Sequence, residues 1–263
     1  LHSELQALTG KCPVLLGGSY VYGEPTDHSD VDFFVIVPWY RIFTFRPAIG
    51  AWKQKYALAP INVMLVPRIA FRYGWLYVYG RDTQGLLIYA PLHKKIMLVY
   101  SLKLAYYNFI KYLAAVNDVE KKLALEKIAQ KIAIVYTLLA HQGPTPPLST
   151  SHIKERLPTN DVWARACLTD KQNNIVTSAE VSTEEINQTL ERAYQACHGY
   201  FGFSWVMYGI YNLKFLLRGK TLFLWQNPDT MILQKMRASL SARNDYAQLL
   251  SELTPIIFPV IIL

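Results

Sequence analysis

The sequence predicts an α+β chain, with a mixed sheet flanked by helices in residues 1–92 and a helical domain over 93–263. Three observations carry that expectation. Short β-branched and aromatic runs, each bounded by Gly or Pro, crowd the first third. From Pro91 onward, apolar residues recur at helical spacing instead. Within the helical part, Gly143-Pro144-Thr145-Pro146-Pro147 is a strong breaker, and 143–149 reads as an internal linker.

The elements follow in order. Residues 2–9 place Leu5 and Leu8 on one side of a short helix. Pro13-Val14-Leu15-Leu16 is a brief apolar run that stops at Gly17-Gly18, as a strand does on entering a tight turn. Residues 30–37 (DVDFFVIV) run to Pro38 and form the clearest strand. Residues 61–66 (INVMLV) form another, ended by Pro67, and 48–58 leave room for a helix between the two. That order is a strand–helix–strand crossover, the connection a parallel pair requires.

Helices are expected over 94–116 and 118–141, with Asn117-Asp118 as turn and N-cap. Lys94 and Lys95 open the first of them, where the helix dipole does not favour cations. Ser182-Thr183-Glu184-Glu185 matches a capping box and starts a helix running to about His198. Further helices are expected at 202–218 and 228–242, and 253–263 reads as a docked apolar tail.

Composition narrows the function. A chain of 263 residues that is 52% hydrophobic supports a packed core. Its formal charge of +8 suits an anionic ligand, yet no long Lys/Arg block appears, so stable duplex-DNA binding is not expected. Cys12, Cys167 and Cys197 are few and far apart, which suggests reduced thiols in a cytoplasmic protein and no zinc site. Membrane association is not expected either. Residues 200–217 contain Asn212 and Lys214, and 253–263 fall short of the roughly 20 residues a spanning helix needs.

The chemistry concentrates in residues 15–37. Gly17 and Gly18 have no Cβ, so a phosphate oxygen can approach the main-chain N–H groups there. Ser19 adds a hydroxyl and begins a helical turn. Asp30 and Asp32 are two apart on a strand, so both carboxylates project from one face. Two neighbouring like charges need compensation. One or two Mg²⁺ (or Mn²⁺) ions carrying a triphosphate supply it through hard oxygen ligands. A phosphate turn beside metal carboxylates is the arrangement for in-line attack on an α-phosphate.

The run Gly17-Gly18-Ser19, a Gly at 23, then Ser29-Asp30-Val31-Asp32 resembles the signature of the DNA polymerase β-like nucleotidyltransferase superfamily. The resemblance covers about the first 90 residues. It implies that Gly18 and Ser19 hold nucleotide phosphates and that Asp30 and Asp32 bind the metal. It also implies a third carboxylate on a later strand, where this chain offers Asn62. An amide oxygen can ligate a metal but carries no charge and is a poor base. Asp82, or the loop acids Glu24 and Asp27, are the alternatives for that role.

The function expected is Mg²⁺-dependent transfer of a nucleoside monophosphate from an NTP to an acceptor hydroxyl or phosphate, releasing pyrophosphate. The acceptor is expected to be a small molecule ahead of tRNA or protein. The competing expectation, raised by Asn62, is a degenerate member that binds nucleotide or a partner protein as a regulator without efficient turnover. Arg68, Arg72 and Arg81 face either a triphosphate or simply solvent, and Tyr20 and Tyr22 line a base pocket or join the core. His28 reads as an exposed loop residue, and Lys214, Arg218 and Lys220 as cations complementing a helix end.

Overall fold

The computed structural model describes residues 1–23, 25, 29–56, 60–74, 76–143, 145–172, 181–201, 228–242 and 245–257. The chain forms two compact units. Among the described residues, the first holds Leu1–His93 with Gly143–Ser149, and the second holds Lys94–Gln142 with Thr150 onward.

The first unit runs α1 (His2–Thr9), β1 (Val14–Leu16), α2 (Ser19–Tyr22) and β2 (Val31–Val37). A 3-10 turn at Trp39–Arg41 leads into α3 (Ile42–Gln54), followed by β3 (Ile61–Pro67), α4 (Arg68–Arg72), β4 (Tyr79–Arg81) and β5 (Leu87–Tyr89). The sheet order is β3-β2-β1-β4-β5. β2 and β3 are parallel, as the crossover requires, and the other neighbours are antiparallel.

Alternation along β2 and β3 builds two cores. Phe33, Val35, Val37, Val63 and Leu65 face one way, against Leu5 of α1 and Ile49 and Trp52 of α3. Ile36 and Val66 face the other way with Leu15, Val78 and Ala90, and Phe71 of α4 packs on them. Helices cover both faces at this point, so both strands are apolar along most of their length. The unit also takes in residues 143–149. Tyr77 donates its hydroxyl to the Pro146 carbonyl at 2.9 Å, and the Thr145 hydroxyl donates to that of Ala90.

α3 starts at Ile42, six residues before the helix expected at 48–58, and it includes Pro47. Proline inside a helix forfeits the bond to the carbonyl four residues back, which makes 48 look like the natural start. Burial of Ile49 and Trp52 against the sheet offsets that loss.

The second unit is helical. α5 (Lys94–Ala114) and α6 (Asp118–Ala140) are its long members and pack on each other, with Leu98, Leu102, Ile110, Ile128 and Ile132 buried. Asn117 caps α6 by accepting from the Glu120 N–H at 2.9 Å. Lys94, an odd choice at a helix start, donates to the Leu139 and His141 carbonyls at 2.8 and 3.2 Å. It therefore satisfies carbonyls left over at the end of α6.

α7 (Thr150–Glu155), α8 (Val162–Gln172), α9 (Thr183–Cys197), α10 (Pro228–Ala242) and α11 (Tyr246–Ile257) complete the described part of the unit. The capping box of α9 is present in full, with Ser182 and Glu185 bonding reciprocally. Cys12, Cys167 and Cys197 are buried and form no disulfide. The helix expected at 202–218, with Lys214, Arg218 and Lys220, lies outside the described residues, as does the tail from 258. Among the described residues, no helix is long and apolar enough to cross a membrane.

Candidate functional site

The antiparallel register of β1 on β2 pairs Leu16 with Phe33. The chain leaving β1 therefore turns at the point where β2 begins, and the Gly17 N–H donates to the Asp32 carbonyl at 2.8 Å. Gly18 has φ +65° and ψ −152°, a backbone conformation essentially reserved for glycine. A Cβ there would collide with Oδ2 of Asp32, so this residue admits the carboxylate as well as the turn. Ser19 then opens α2, as the sequence suggests. That helix is only four residues long, so any anion would rest on individual N–H groups and the Ser19 hydroxyl more than on a macrodipole.

The parallel register of β2 on β3 pairs Asp32 with Asn62. The Asn62 Nδ2 donates to Asp30 Oδ2 at 3.0 Å and to Asp32 Oδ1 at 3.3 Å. Both carboxylates thus converge on one nitrogen. Asp30 and Asn62 are exposed, and Asp32 is half-buried between the turn and the amide. Two anionic oxygens within hydrogen-bond distance of one atom can equally converge on one small cation, so the donor set fits a hard divalent metal. The amide now supplies the positive end of a dipole where two negative charges meet, as the repulsion between them demands.

Gly17, Gly18, Ser19, Asp30, Asp32 and Asn62 are thereby brought to one edge of the sheet. Among the described residues, no cluster of three or more His, Cys, Asp or Glu surrounds a common point. Asp82 does not join the acids. Its Oδ1 accepts from the Gln84 and Leu86 N–H groups and shapes the turn between β4 and β5. Glu24, Asp27 and His28 lie outside the described residues.

The arginines separate. Arg68 and Arg72 sit on α4, which follows Pro67, and Pro67 pairs with Val37 at the far end of β2 from Asp32. They do not face the acid pair. Arg81 pairs with Leu16, directly before the glycine turn, and donates to the Gly85 carbonyl at 3.1 Å.

A tyrosine ladder escaped the sequence reading. Tyr22 and Tyr77 share a hydroxyl–hydroxyl bond of 3.0 Å, and Tyr79 lies against Tyr22, Tyr77 and Tyr89 with ring centroids 5.5, 6.4 and 6.2 Å away. Burial pushes the Tyr22 hydroxyl up to about 12 and raises that of Tyr77 further. The only signal was the Tyr77-x-Tyr79 alternation leading into β4, a strand too short to stand out. Tyr20, in contrast, is exposed.

In the second unit, a cavity of about 230 Å³ is lined by Tyr106, Glu184, Asn187, Glu191, Arg237 and Tyr246, among others. Arg237 donates to both Glu191 oxygens at 2.8 and 2.6 Å and lies 3.6 Å over the Tyr194 ring. Its charge is already matched within the fold.

The family model for the nucleotidyltransferase domain matches residues 3–138, just over half of the chain. The match runs well beyond the 90 residues expected from the motif, through α5 and most of α6. No curated protein and no solved structure matches the chain.

Proposed function

The chain belongs to the nucleotidyltransferase-domain family, and from that premise we propose a Mg²⁺- or Mn²⁺-dependent enzyme that moves a nucleoside monophosphate from an NTP to an acceptor hydroxyl or phosphate. The observation that supports this reading best is the meeting of Asp30, Asp32 and Asn62 beside the Gly18 turn. Asp30 and Asp32 are the metal ligands, and the Asn62 amide oxygen is a neutral third ligand after a rotation of the side chain. When bound, the metal supplies positive charge against the charge developing on the phosphoryl oxygens.

The residues of the chain do the rest. The N–H groups after Gly18 and the Ser19 hydroxyl hold the β- and γ-phosphates, which fixes the α-phosphorus near Asp30 and Asp32. The acceptor oxygen forms its bond to that phosphorus as the bond to the β-phosphate oxygen breaks, and pyrophosphate leaves. Asn62 cannot take the acceptor's proton, so the proton passes to water or to the leaving group. Loss of a general base slows such a step by roughly 100- to 10,000-fold. A small-molecule acceptor and a cytoplasmic setting complete the proposal.

Asn62 also favours a second reading, a domain that binds Mg²⁺–NTP or a partner as a regulator and barely turns over. Pyrophosphate release measured across an acceptor panel, alongside NTP titration, separates the two. Release by the native chain that rises in Asn62→Asp supports the enzyme. Tight Mg²⁺–NTP binding with no release from either protein supports the regulator. Absence of nucleotide binding sinks the enzyme and leaves only a regulator that acts through a partner.

A further inference from the structure

Residues 33–81 carry seven Lys or Arg and no Asp or Glu, so nearly all of the chain's +8 charge resides in this stretch. The fold gathers much of it at one place. β2 and β3 are parallel and end together at the Val37–Pro67 pair, so the chain leaves both strands at the same edge. There the 3-10 turn and the first turn of α3 expose Trp39, Tyr40 and Phe43 at 68, 60 and 62%. α4 exposes Ile69 and Tyr73 at 50 and 52%. Arg41, Arg46, Arg68 and Arg72 are exposed on the same segments.

Among the described residues, neither feature has an explanation inside the fold. Arg41 is the N-cap of α3, and that helix has no acid in its first turn and no side-chain cap. A cation there opposes the helix dipole. Phe43 and Ile69 have no polar atom, and leaving both in water forgoes burial that the core would reward. Large apolar side chains gathered with positive charge mark an interaction surface.

We infer that this edge is a docking surface for an anionic lipid bilayer. Trp39 and Tyr40 suit the headgroup level, where an aromatic body and a polar tip are both accommodated. Phe43 and Ile69 enter the acyl boundary, and the four guanidiniums meet lipid phosphates and carboxylates. Charge alone would also admit a single-stranded RNA. Stacked bases need open ring faces, however, and here Trp39 and Tyr40 meet edge to face while Arg72 covers Tyr73 at 5.8 Å. Purely apolar Ile69 offers neither a ring face for a base nor a donor for a phosphate. The acid pair lies at the other end of β2, about 16 Å away at 3.3 Å per residue, so docking is independent of nucleotide chemistry.

The test is flotation of the full chain with phosphatidylcholine vesicles and with vesicles that also contain phosphatidylserine, beside a binding assay on oligouridylate RNA. Binding to the anionic vesicles alone is expected, weakening as salt rises. Each lost positive charge lowers partition roughly fivefold, so Arg41→Ala/Arg68→Ala lowers it about 25-fold. Trp39→Ala/Phe43→Ala lowers it as well. All four side chains are exposed, and an unchanged melting temperature verifies that the variants fold. The inference is overturned if anionic vesicles do not bind, if neutral vesicles bind equally, if either double variant floats like the native chain, or if the RNA binds in their place.

Discussion

Asn62 stands opposite Asp32 on the neighbouring parallel strand and donates its side-chain amide to that carboxylate at 3.3 Å. The same nitrogen reaches Asp30 at 3.0 Å. A neutral donor thus sits where a third carboxylate would make the site a triad of acids.

Asn62→Asp replaces that donor with a third negative charge. In metal-free buffer the variant is expected to melt about 2–4 °C lower, through repulsion among the carboxylates. Added Mg²⁺ should then stabilise it more than the native chain. Calorimetry with and without Mg²⁺ reads both changes, and equal Mg²⁺ responses would exclude a shared metal position.

Asp30→Ala and Asp32→Ala are each expected to abolish NTP turnover while leaving the circular dichroism spectrum intact, since Asp30 is exposed and Asp32 only half-buried. Turnover retained in either variant would remove that residue from the metal assignment.

Gly18→Ala strikes the turn and the acid strand together. Its positive φ and the collision with Asp32 are expected to cost about 1–3 kcal/mol of stability and to weaken nucleotide binding at least tenfold. Urea unfolding and titration with an NTP measure the two losses separately.

Alkaline pH probes the tyrosine ladder. The Tyr22 hydroxyl is pushed up to about 12, against roughly 10 for an unfolded tyrosine. The raised value favours the neutral form in the fold, so this stabilisation is complete below pH 10 and is lost as pH rises toward 12. Melting temperatures should fall over that window, and Tyr22→Phe should make the fall shallower. Tyr136, whose hydroxyl is likewise pushed up to about 12 by burial, accounts for part of the slope that remains.

In the helical unit, Asp161 is fully buried, with Oδ1 accepting from Thr189 at 3.2 Å and from Arg192. Arg192→Ala strands that charge and is expected to cost about 3 kcal/mol, the low end of the range because Arg192 is partly exposed. Asp161→Asn in the Arg192→Ala background should recover part of it in urea titrations, since no buried charge remains.

The legible part of this fold was whatever local pattern encodes. β2 and β3 announce themselves as β-branched runs closed by proline, and the Asn117 and Ser182 caps show in four residues each. Asn62 could be set beside the acids from sequence through the family resemblance, and the observed strands, beginning at Val31 and Ile61, pair it with Asp32. β4 and β5 went unseen because three residues make barely more than one period of alternation, and their pairing partners are distant in sequence. The separation of Arg68 from the acids was equally hidden, since it depends on which end of β3 the chain leaves. The helix at Tyr246–Ile257 overlaps what read as an apolar tail, where a proline at 255 disguised the period.

Because β2 and β3 run in the same direction, their starts and their ends collect at opposite rims of the sheet. One rim gathers Asp30 and Asp32 and the other four of the arginines, which makes the sheet an electrical vector as well as a scaffold. A negatively charged wall draws such a body in with a preferred attitude, basic rim inward. The glycine turn and Asp30 belong to the opposite rim, so such a wall would meet neither of them.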